Sequence, residues 1–279
     1  MNILILDHES VTRFGFFLGV LAAMAVWEML APRRIYTAPR AVRWFNNLGL
    51  AFFGTLLLRL LSPMTATGIA LYAGKQGLGL LNNVALPPDL ALVMGVVALD
   101  FIIYLQHVLF HRMPVFWRLH MVHHTDLAFD ATTGIRFHPI EIFLSMVIKM
   151  ATVMALGASA LAVLIFEILL NATSLFNHGN VRLPLPVDRV LRLILVTPDM
   201  PRVHHSVVIR ELNSNFGFNL PWWDRLFGTY RGQPGAGHEG MVIGLSQFRD
   251  AGRLSLPWLL ALPFLRAPKV SSGNTLRRR

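Results

Sequence analysis

The sequence predicts an all-α integral membrane protein, a bundle of about four to five transmembrane helices with a histidine-rich helical cap on the cytoplasmic side. Hydrophobic residues make up 54% of the chain and charged residues only 14%, whereas a soluble domain carries about 25% charged residues. The mean hydropathy is +0.53. The formal net charge is +10, but the basic residues are mostly arginines beside apolar runs. Such arginines suit helix flanks and lipid headgroups, so we expect a membrane and no nucleic-acid partner.

Five apolar runs are close to the ~20 residues that cross a bilayer, and they cover roughly 14–32, 47–73, 88–110, 139–156 and 159–177. Pro63 and Gly68 interrupt the second run, which predicts either a tilted helix or a helix with a re-entrant piece. Gly157 and Ser159 separate the last two runs with almost no loop, which predicts a helical hairpin. A shorter run, 254–265, is expected to lie in the membrane interface.

The arginine-rich segment 33–43 sets the predicted orientation, because basic loops stay on the cytoplasmic side of a membrane. Counting the spans from that segment places 107–138 and 178–253 on the same, cytoplasmic side. These two stretches hold every histidine of the chain except His8. The arginines alone therefore predict that the histidines gather on one face of the membrane.

The spacing of these histidines is typical of metal ligands. His107 and His111 stand one helical turn apart in HVLFH, and HMVHH follows shortly after. In HMVHH the adjacent His123 and His124 diverge by ~100° on a helix, so each can serve a different metal. Neutral imidazole suits iron, zinc, copper and nickel. Eight histidines are too many for one ion, whereas two ions with about four ligands each would keep open coordination positions. The eight candidate ligands are His107, His111, His120, His123, His124, His178, His204 and His205.

Several metal chemistries are excluded by the same sequence. The chain has no cysteine, which removes iron–sulfur clusters, thiolate haem and cysteine zinc sites. It lacks the HExxH motif of zinc proteases and the Glu-x-x-His pairs of carboxylate-bridged di-iron bundles. A metal transporter is disfavoured, because transporters bind their cargo near the bilayer midplane, whereas these histidines are predicted at helix ends and in loops on the cytoplasmic side. A single histidine such as His8 or His238 is more simply an interfacial or core residue, but the combined pattern is not.

The motifs HVLFH, HMVHH, NHGN and PRVHH resemble those of the fatty acid hydroxylase/sterol desaturase superfamily. The stretches DFIIYLQH, RFHPIE, TPDM and NFGFNLPWWDRLFGTYR add to the resemblance, which covers roughly 95–231. The resemblance implies a membrane-bound di-iron oxygenase that hydroxylates or desaturates an unactivated C–H bond of a lipid with O2. It implies two iron ions, held by the eight histidines named above, and a lipid drawn from the bilayer. Because the sequence has no flavin or NAD(P) motif, a separate reductase would supply the electrons.

This resemblance also implies a domain organisation. We expect N-terminal membrane helices over 1–87 and a catalytic domain over 88–235. An interfacial segment and a basic tail are expected over 236–279.

The third motif departs from the family pattern at Pro201, where a histidine is expected. Water, Asp199 and His138 are the candidates to replace the missing ligand. The departure leaves open an alternative function, in which a catalytically impaired relative acts as a lipid- or metal-binding membrane protein.

Four further residues are candidates to support the site. Asp100 lies two turns before His107 in an apolar run, so it could accept a hydrogen bond from a ligand imidazole, or simply serve helix packing. His138, which precedes Pro139, is a further candidate ligand or supporting residue. Arg136 and Glu141 are predicted to form a buried pair that braces the site, against the alternative of ordinary interfacial charges.

Overall fold

The computed structural model describes residues 8–35, 39–250 and 254–265. Within these ranges the regular structure is helical, apart from two isolated bridges, Pro32 to Val181 and Ser206 to Ile243. The predicted all-α class is therefore confirmed. The basic tail expected at the C-terminus falls in 266–279, outside the described residues.

Over residues 8–35 and 39–177, seven α-helices form the first part of the fold. They are α1 Glu9–Leu30, α2 Arg40–Leu61, α3 Ala66–Lys75, α4 Pro88–Arg112, α5 Pro114–His124, α6 Pro139–Leu156 and α7 Ala160–Asn177. In the described part of the chain, five helical segments are long and apolar enough to cross a membrane: Glu9–Leu30, Arg40–Asn82, Pro88–Arg112, Pro139–Leu156 and Ala160–Asn177. These segments confirm the predicted bundle and indicate a multi-pass membrane protein.

The interrupted second run forms two helices rather than one tilted helix. α2 ends at Leu61, and α3 begins at Ala66 after a turn that contains Pro63. Thr65 caps α3, because its side-chain oxygen accepts a hydrogen bond from Gly68 N at 3.0 Å. Pro63 supplies no backbone N–H, so the helix cannot continue through it without loss.

The predicted hairpin between α6 and α7 is confirmed. Gly157 ends α6 with φ 71°, a left-handed conformation that glycine adopts without steric cost. Ser159 then caps α7 by accepting a hydrogen bond from Ala162 N at 3.2 Å. A Cβ atom on the neighbouring Gly79 would lie 2.2 Å from Gly157 N, so the turn also needs glycine at 79. Two glycines and one serine therefore set the close return of the chain.

The bundle packs through small and branched side chains. α3, α4, α6 and α7 share a buried core that includes Ala66, Leu99, Val153 and Phe166. α1 lies against α7. On the outside of the bundle, large apolar side chains are exposed: Phe14, Phe52, Leu60 and Val93. Such a surface suits contact with lipid, since large apolar side chains on the outside of a bundle favour an apolar surrounding.

Short helices build the cap over the ends of α4, α5 and α7. They are α8 Leu185–Leu191, α9 Asp199–His204, α10 Ile209–Leu212, α11 Trp222–Leu226, α12 Gly237–Gly240 and α13 Leu256–Ala261, with 3₁₀ turns at Ala131–Ile135 and Leu262–Phe264. The segment expected in the membrane interface, 254–265, packs against α2 and α5. Its Leu259 and Leu262 are buried in the cap core with Val122. This segment is therefore a packed part of the cap.

Candidate metal centre

Four helix ends bring the eight predicted histidines together. His107 and His111 lie in the last turns of α4, and α5 carries His120, His123 and His124 on its buried side. His178 ends α7, and His204 with His205 ends α9. The turn Met113–Pro114 joins α4 directly to α5, which sets their histidines face to face. Seven of the eight rings are buried and His111 is partly exposed.

The imidazoles form two groups. In the five-histidine cluster, one ring nitrogen from each member lies within 4.8 Å of the others: His107, His111, His120, His124 and His204. In the three-histidine cluster, His123, His178 and His205 meet the same distance limit. Two nitrogens on opposite sides of one ion are roughly 4.2 Å apart, since metal–nitrogen bonds are about 2.1 Å. Both groups therefore have the dimensions of a metal site.

The two clusters adjoin each other. The rings of His124 and His205 are stacked with centroids 4.4 Å apart, and those of His123 and His124 are 5.2 Å apart. His123 and His124 belong to different clusters, as their divergence on the helix predicts. We expected about four histidines for each metal, whereas the structure divides the eight histidines into groups of five and three.

Hydrogen bonds fix the ring orientation of three members of the five-histidine cluster. His107 Nδ1 donates to Phe216 O at 2.9 Å, and His204 Nδ1 donates to Ser214 O at 2.7 Å. His120 Nδ1 lies 2.6 Å from Glu141 Oε1, and a carboxylate oxygen is a strong acceptor for an imidazole N–H. Because the proton is held on Nδ1, each Nε2 carries a free lone pair.

The three-histidine cluster has fewer such contacts. His178 Nδ1 lies 2.6 Å from Asn177 Oδ1 and 3.0 Å from Ser174 O, both on its own helix. His205 has two buried ring nitrogens without a hydrogen-bond partner, and His123 Nδ1 is also buried without one. One of the three rings is therefore fixed by hydrogen bonds.

Buried nitrogen atoms without partners are what a metal would satisfy. They include Nε2 of His107, His120 and His204, in the rings whose Nδ1 is already bonded. Burial lowers the pKa of His120 to about 3 and that of His178 to about 4, so both rings are neutral at pH 7. A buried polar atom left unpaired is costly, which makes eight neutral imidazoles in contact a poor structural core. The residues present fit iron or another imidazole-binding metal.

Asp100 supports the site indirectly. The prediction that it accepts a hydrogen bond from a ligand imidazole is wrong. Its carboxylate accepts from Asn219 N at 3.2 Å, Leu220 N at 3.3 Å and Trp223 Nε1 at 2.8 Å. These bonds hold the segment whose Phe216 carbonyl orients His107. The buried carboxylate is thus occupied by two backbone N–H groups and one indole N–H, and in the described structure no histidine ring donates to it.

Arg136 and Glu141 are both buried but do not pair with each other in the described structure. Glu141 contacts His120, as described above. Arg136 donates to Val122 O, Asn47 Oδ1 and Thr125 Oγ1 at 2.6–3.0 Å. Both side chains therefore brace the histidine helix α5, but through separate partners.

His138 and Asp199 lie outside both clusters. His138 Nδ1 accepts from Ile140 N at 3.2 Å and so caps α6, while its Nε2 lies 3.1 Å from Leu260 O. Asp199 forms ion pairs with Arg202 and with Arg33. Neither side chain fills the position left by Pro201.

Pro201 stands one helical turn before His205, and Pro201 O accepts a hydrogen bond from His205 N at 2.9 Å. Side chains four residues apart on a helix are neighbours on one face. Both histidine pairs with this spacing, His107 with His111 and His120 with His124, share a cluster, whereas His120 and His123, three residues apart, do not. By the same spacing, we assign the position where the third motif lacks its histidine to the three-histidine cluster, on the side of His205.

Sequence reasoning missed a buried ionic network beneath the histidines. Arg43, at the start of α2, bonds Asp126 through Nε and Nη2 at 2.7 and 2.8 Å and also contacts Asp130. Burial raises the pKa of the Asp126 carboxyl, but the adjacent Arg43 guanidinium lowers it more, to well below the usual range. This network ties α2 to the loop that follows His124. The two acids that closely follow the second histidine motif, in HHTDLAFD, were the available signal.

Residues 92–229 match the family model described as Fatty acid hydroxylase. The chain belongs to the fatty acid hydroxylase/sterol desaturase superfamily. The fatty acid hydroxylase match contains all eight histidines and all four helix ends that carry them. The resemblance drawn from the motifs is thus confirmed at the level of the family.

Three curated relatives are similar to about half of this chain. The chain is 34% identical over 150 residues to ornithine lipid hydroxylase OlsE of Rhizobium tropici, which covers 53% of this chain and 44% of the relative. It is 26% identical over 152 residues to alkylglycerol monooxygenase of Homo sapiens, covering 53% and 31%. The corresponding Xenopus tropicalis protein is 28% identical over 136 residues, covering 47% and 28%.

The chain spans less than half the length of these relatives. No solved structure matches it significantly.

Proposed function

We propose that this fatty acid hydroxylase family member is a membrane-bound, non-haem di-iron oxygenase that oxidises an unactivated C–H bond of a lipid. Residues 88–235 would form its catalytic domain. The observation that carries the proposal is the pair of adjoining histidine clusters, buried at one end of an apolar helix bundle. The names of the relatives, a lipid hydroxylase and alkylglycerol monooxygenases, support hydroxylation of a lipid.

Each cluster would hold one iron ion. The five-histidine cluster offers His107, His111, His120, His124 and His204, and the three-histidine cluster offers His123, His178 and His205. When bound, the two ions would supply the reduction of dioxygen and the oxidation of the C–H bond. The chain itself supplies neutral imidazoles of fixed orientation and a site from which its buried core excludes water.

The surroundings of the site suggest its partners. The lipid-facing surface of the bundle supports a substrate that enters from the bilayer. The sequence contains no cysteine and no dinucleotide-binding motif, which supports a separate reductase as the source of electrons. The arginine-rich segment 33–43 supports a cytoplasmic position for the histidines, where such a reductase would meet them.

The test is metal content together with oxygen uptake on detergent-purified protein. We expect two irons per chain and consumption of dioxygen after chemical reduction. His8→Ala serves as a matched control, because His8 is exposed and outside both clusters. A protein that takes up no iron and consumes no dioxygen after iron loading would sink the proposal.

The second candidate function is a catalytically impaired relative that binds a lipid or a metal without oxidising it. Pro201 beside the three-histidine cluster is the observation that favours it. The two functions separate on the Pro201→His variant. If the unmodified chain holds one iron and is inactive while Pro201→His holds two and consumes dioxygen, the impaired relative is the better description.

A further inference from the structure

A cavity of about 290 Å³ lies beside the three-histidine cluster. Its walls include Phe129, Asn180, Ile243, Arg34 and Arg249. The volume is near the lower end for small-molecule sites, which hold ligands smaller than a whole two-chain lipid. The cavity therefore fits a headgroup rather than an acyl chain.

Each histidine of the three-histidine cluster is connected, along the chain or through a β-bridge, to a residue that lines this cavity. Phe129 lies in the loop that follows α5 and His123, and Asn180 is two residues beyond His178. Ile243 forms a bridge with Ser206, the residue after His205. The Phe129 ring has its centroid 5.3 Å from the rings of both His178 and His205. A single phenyl ring thus stands between the cavity and two of the histidines.

The charge of the cavity is positive. Among the described residues, Arg34 and Arg249 have no carboxylate partner, whereas the adjacent Arg33 pairs with Glu239 and Asp199. One nitrogen of Arg34, Nη1, is buried without any hydrogen-bond partner. Two uncompensated guanidinium groups on one small cavity favour an anionic ligand.

The side chain of Asn180 holds the backbone at Arg34 through two hydrogen bonds. Asn180 Oδ1 accepts from Arg34 N at 3.0 Å, and Asn180 Nδ2 donates to Arg34 O at 2.8 Å. Arg249 Nη1 donates to Ile243 O at 2.6 Å, which draws that side chain to the cavity wall. The Arg34 backbone and the Arg249 guanidinium are therefore positioned by the protein before a ligand arrives, which lowers part of the entropic cost of binding.

We propose that this cavity binds the phosphate-bearing, anionic headgroup of a membrane lipid. Guanidinium groups bind phosphate through paired hydrogen bonds, and the apolar walls from Phe129 and Ile243 suit the adjoining glycerol carbons. A headgroup held here places the first carbons of the lipid next to the three-histidine cluster. That last step rests on the proposed function, whereas headgroup binding does not.

The test is isothermal titration of the detergent-purified full chain with dihexanoyl phosphatidate and dihexanoyl phosphatidylcholine. We expect phosphatidate to bind at least about tenfold more tightly than phosphatidylcholine. Arg34→Gln and Arg249→Gln should each weaken phosphatidate binding about tenfold, and Arg34→Lys should weaken it less, since the charge remains. Arg210→Gln is the matched control, because Arg210 is exposed in the same cap and lines no part of the cavity.

Three results would overturn the proposal. They are equal binding of the two lipids, variants that bind phosphatidate like the unmodified chain, and inorganic phosphate that binds as tightly as phosphatidate. The last result would show a free-anion site instead of a lipid site. Arg34→Lys keeps the test decisive if a glutamine variant fails to fold.

Titrations on metal-free and iron-loaded protein separate this proposal from the proposed function. Headgroup selectivity without oxygen uptake would support the cavity and contradict the oxygenase. Oxidation of lipids without headgroup selectivity would support the oxygenase and contradict the headgroup site.

Discussion

The five-histidine cluster and the three-histidine cluster use the same helix ends but differ in how firmly their rings are held. In the first, Glu141 and two backbone carbonyls from the cap fix three rings. In the second, the contacts that fix His178 come from its own helix. The cavity adjoins the second cluster. Under the proposed function, this difference supports a division of roles, in which one cluster would retain its metal and the other would keep positions open for reactants.

Pro201 sharpens this contrast. It stands four residues before His205, the spacing that joins histidines of one cluster elsewhere, so we assign the position lacking a histidine to the cluster that already has fewer histidines. Affinity rises with the number of correctly placed ligands, so we expect the three-histidine cluster to bind its metal more weakly. The following predictions test whether the two clusters are unequal in this sense.

The largest effect is expected from His178→Ala. The variant leaves two histidines in the smaller cluster, which are too few to retain an ion against water. Iron content should fall from two to one per chain, and lipid oxidation should fall by at least about 100-fold. Inductively coupled plasma mass spectrometry and product analysis measure the two effects, with His8→Ala as control. Retention of both irons would contradict the assignment of His178.

Glu141→Gln should act on the larger cluster alone. It replaces the carboxylate that accepts from His120 Nδ1 with a neutral amide. Loss of such a partner typically weakens metal binding about 10–100-fold. Chelator competition should show the loss for the tighter site and no change for the weaker one. Asp188→Asn is the control, since Asp188 is a buried carboxylate that pairs with Arg192 instead.

Pro201→His should make the clusters more alike. A histidine at 201 lies on the face of α9 that carries His205, and it restores a backbone N–H in the first turn. We expect the weaker site to bind iron about tenfold more tightly or better, with the other site unchanged. Pro201→Ala removes the ring without adding a ligand and should leave both affinities near their original values. Equal gains from both variants would show that backbone relief, and not a ligand, is responsible.

The sequence was sufficient for the helices and for the gathering of the histidines. Apolar runs, helical spacing and the arginines of 33–43 carry that information locally. Spacing also separated His123 from His124. It could not identify Glu141 as the partner of His120 or Asp126 as that of Arg43, because those contacts join residues 21 and 83 positions apart. Such pairs depend on how the helices pack, which no local pattern specifies.

Asp100→Asn should produce the smallest effect, and it tests how the cap supports the larger cluster. The carboxylate accepts from Asn219 N, Leu220 N and Trp223 Nε1, and an amide cannot accept all three in the same way. The segment that carries Phe216 O should loosen, and His107 should lose part of its orientation. We expect a loss of a few-fold in affinity at the tighter site and none at the weaker one. An equal loss at both sites would mean that Asp100 stabilises the whole fold, so the comparison between the clusters would not extend to the cap.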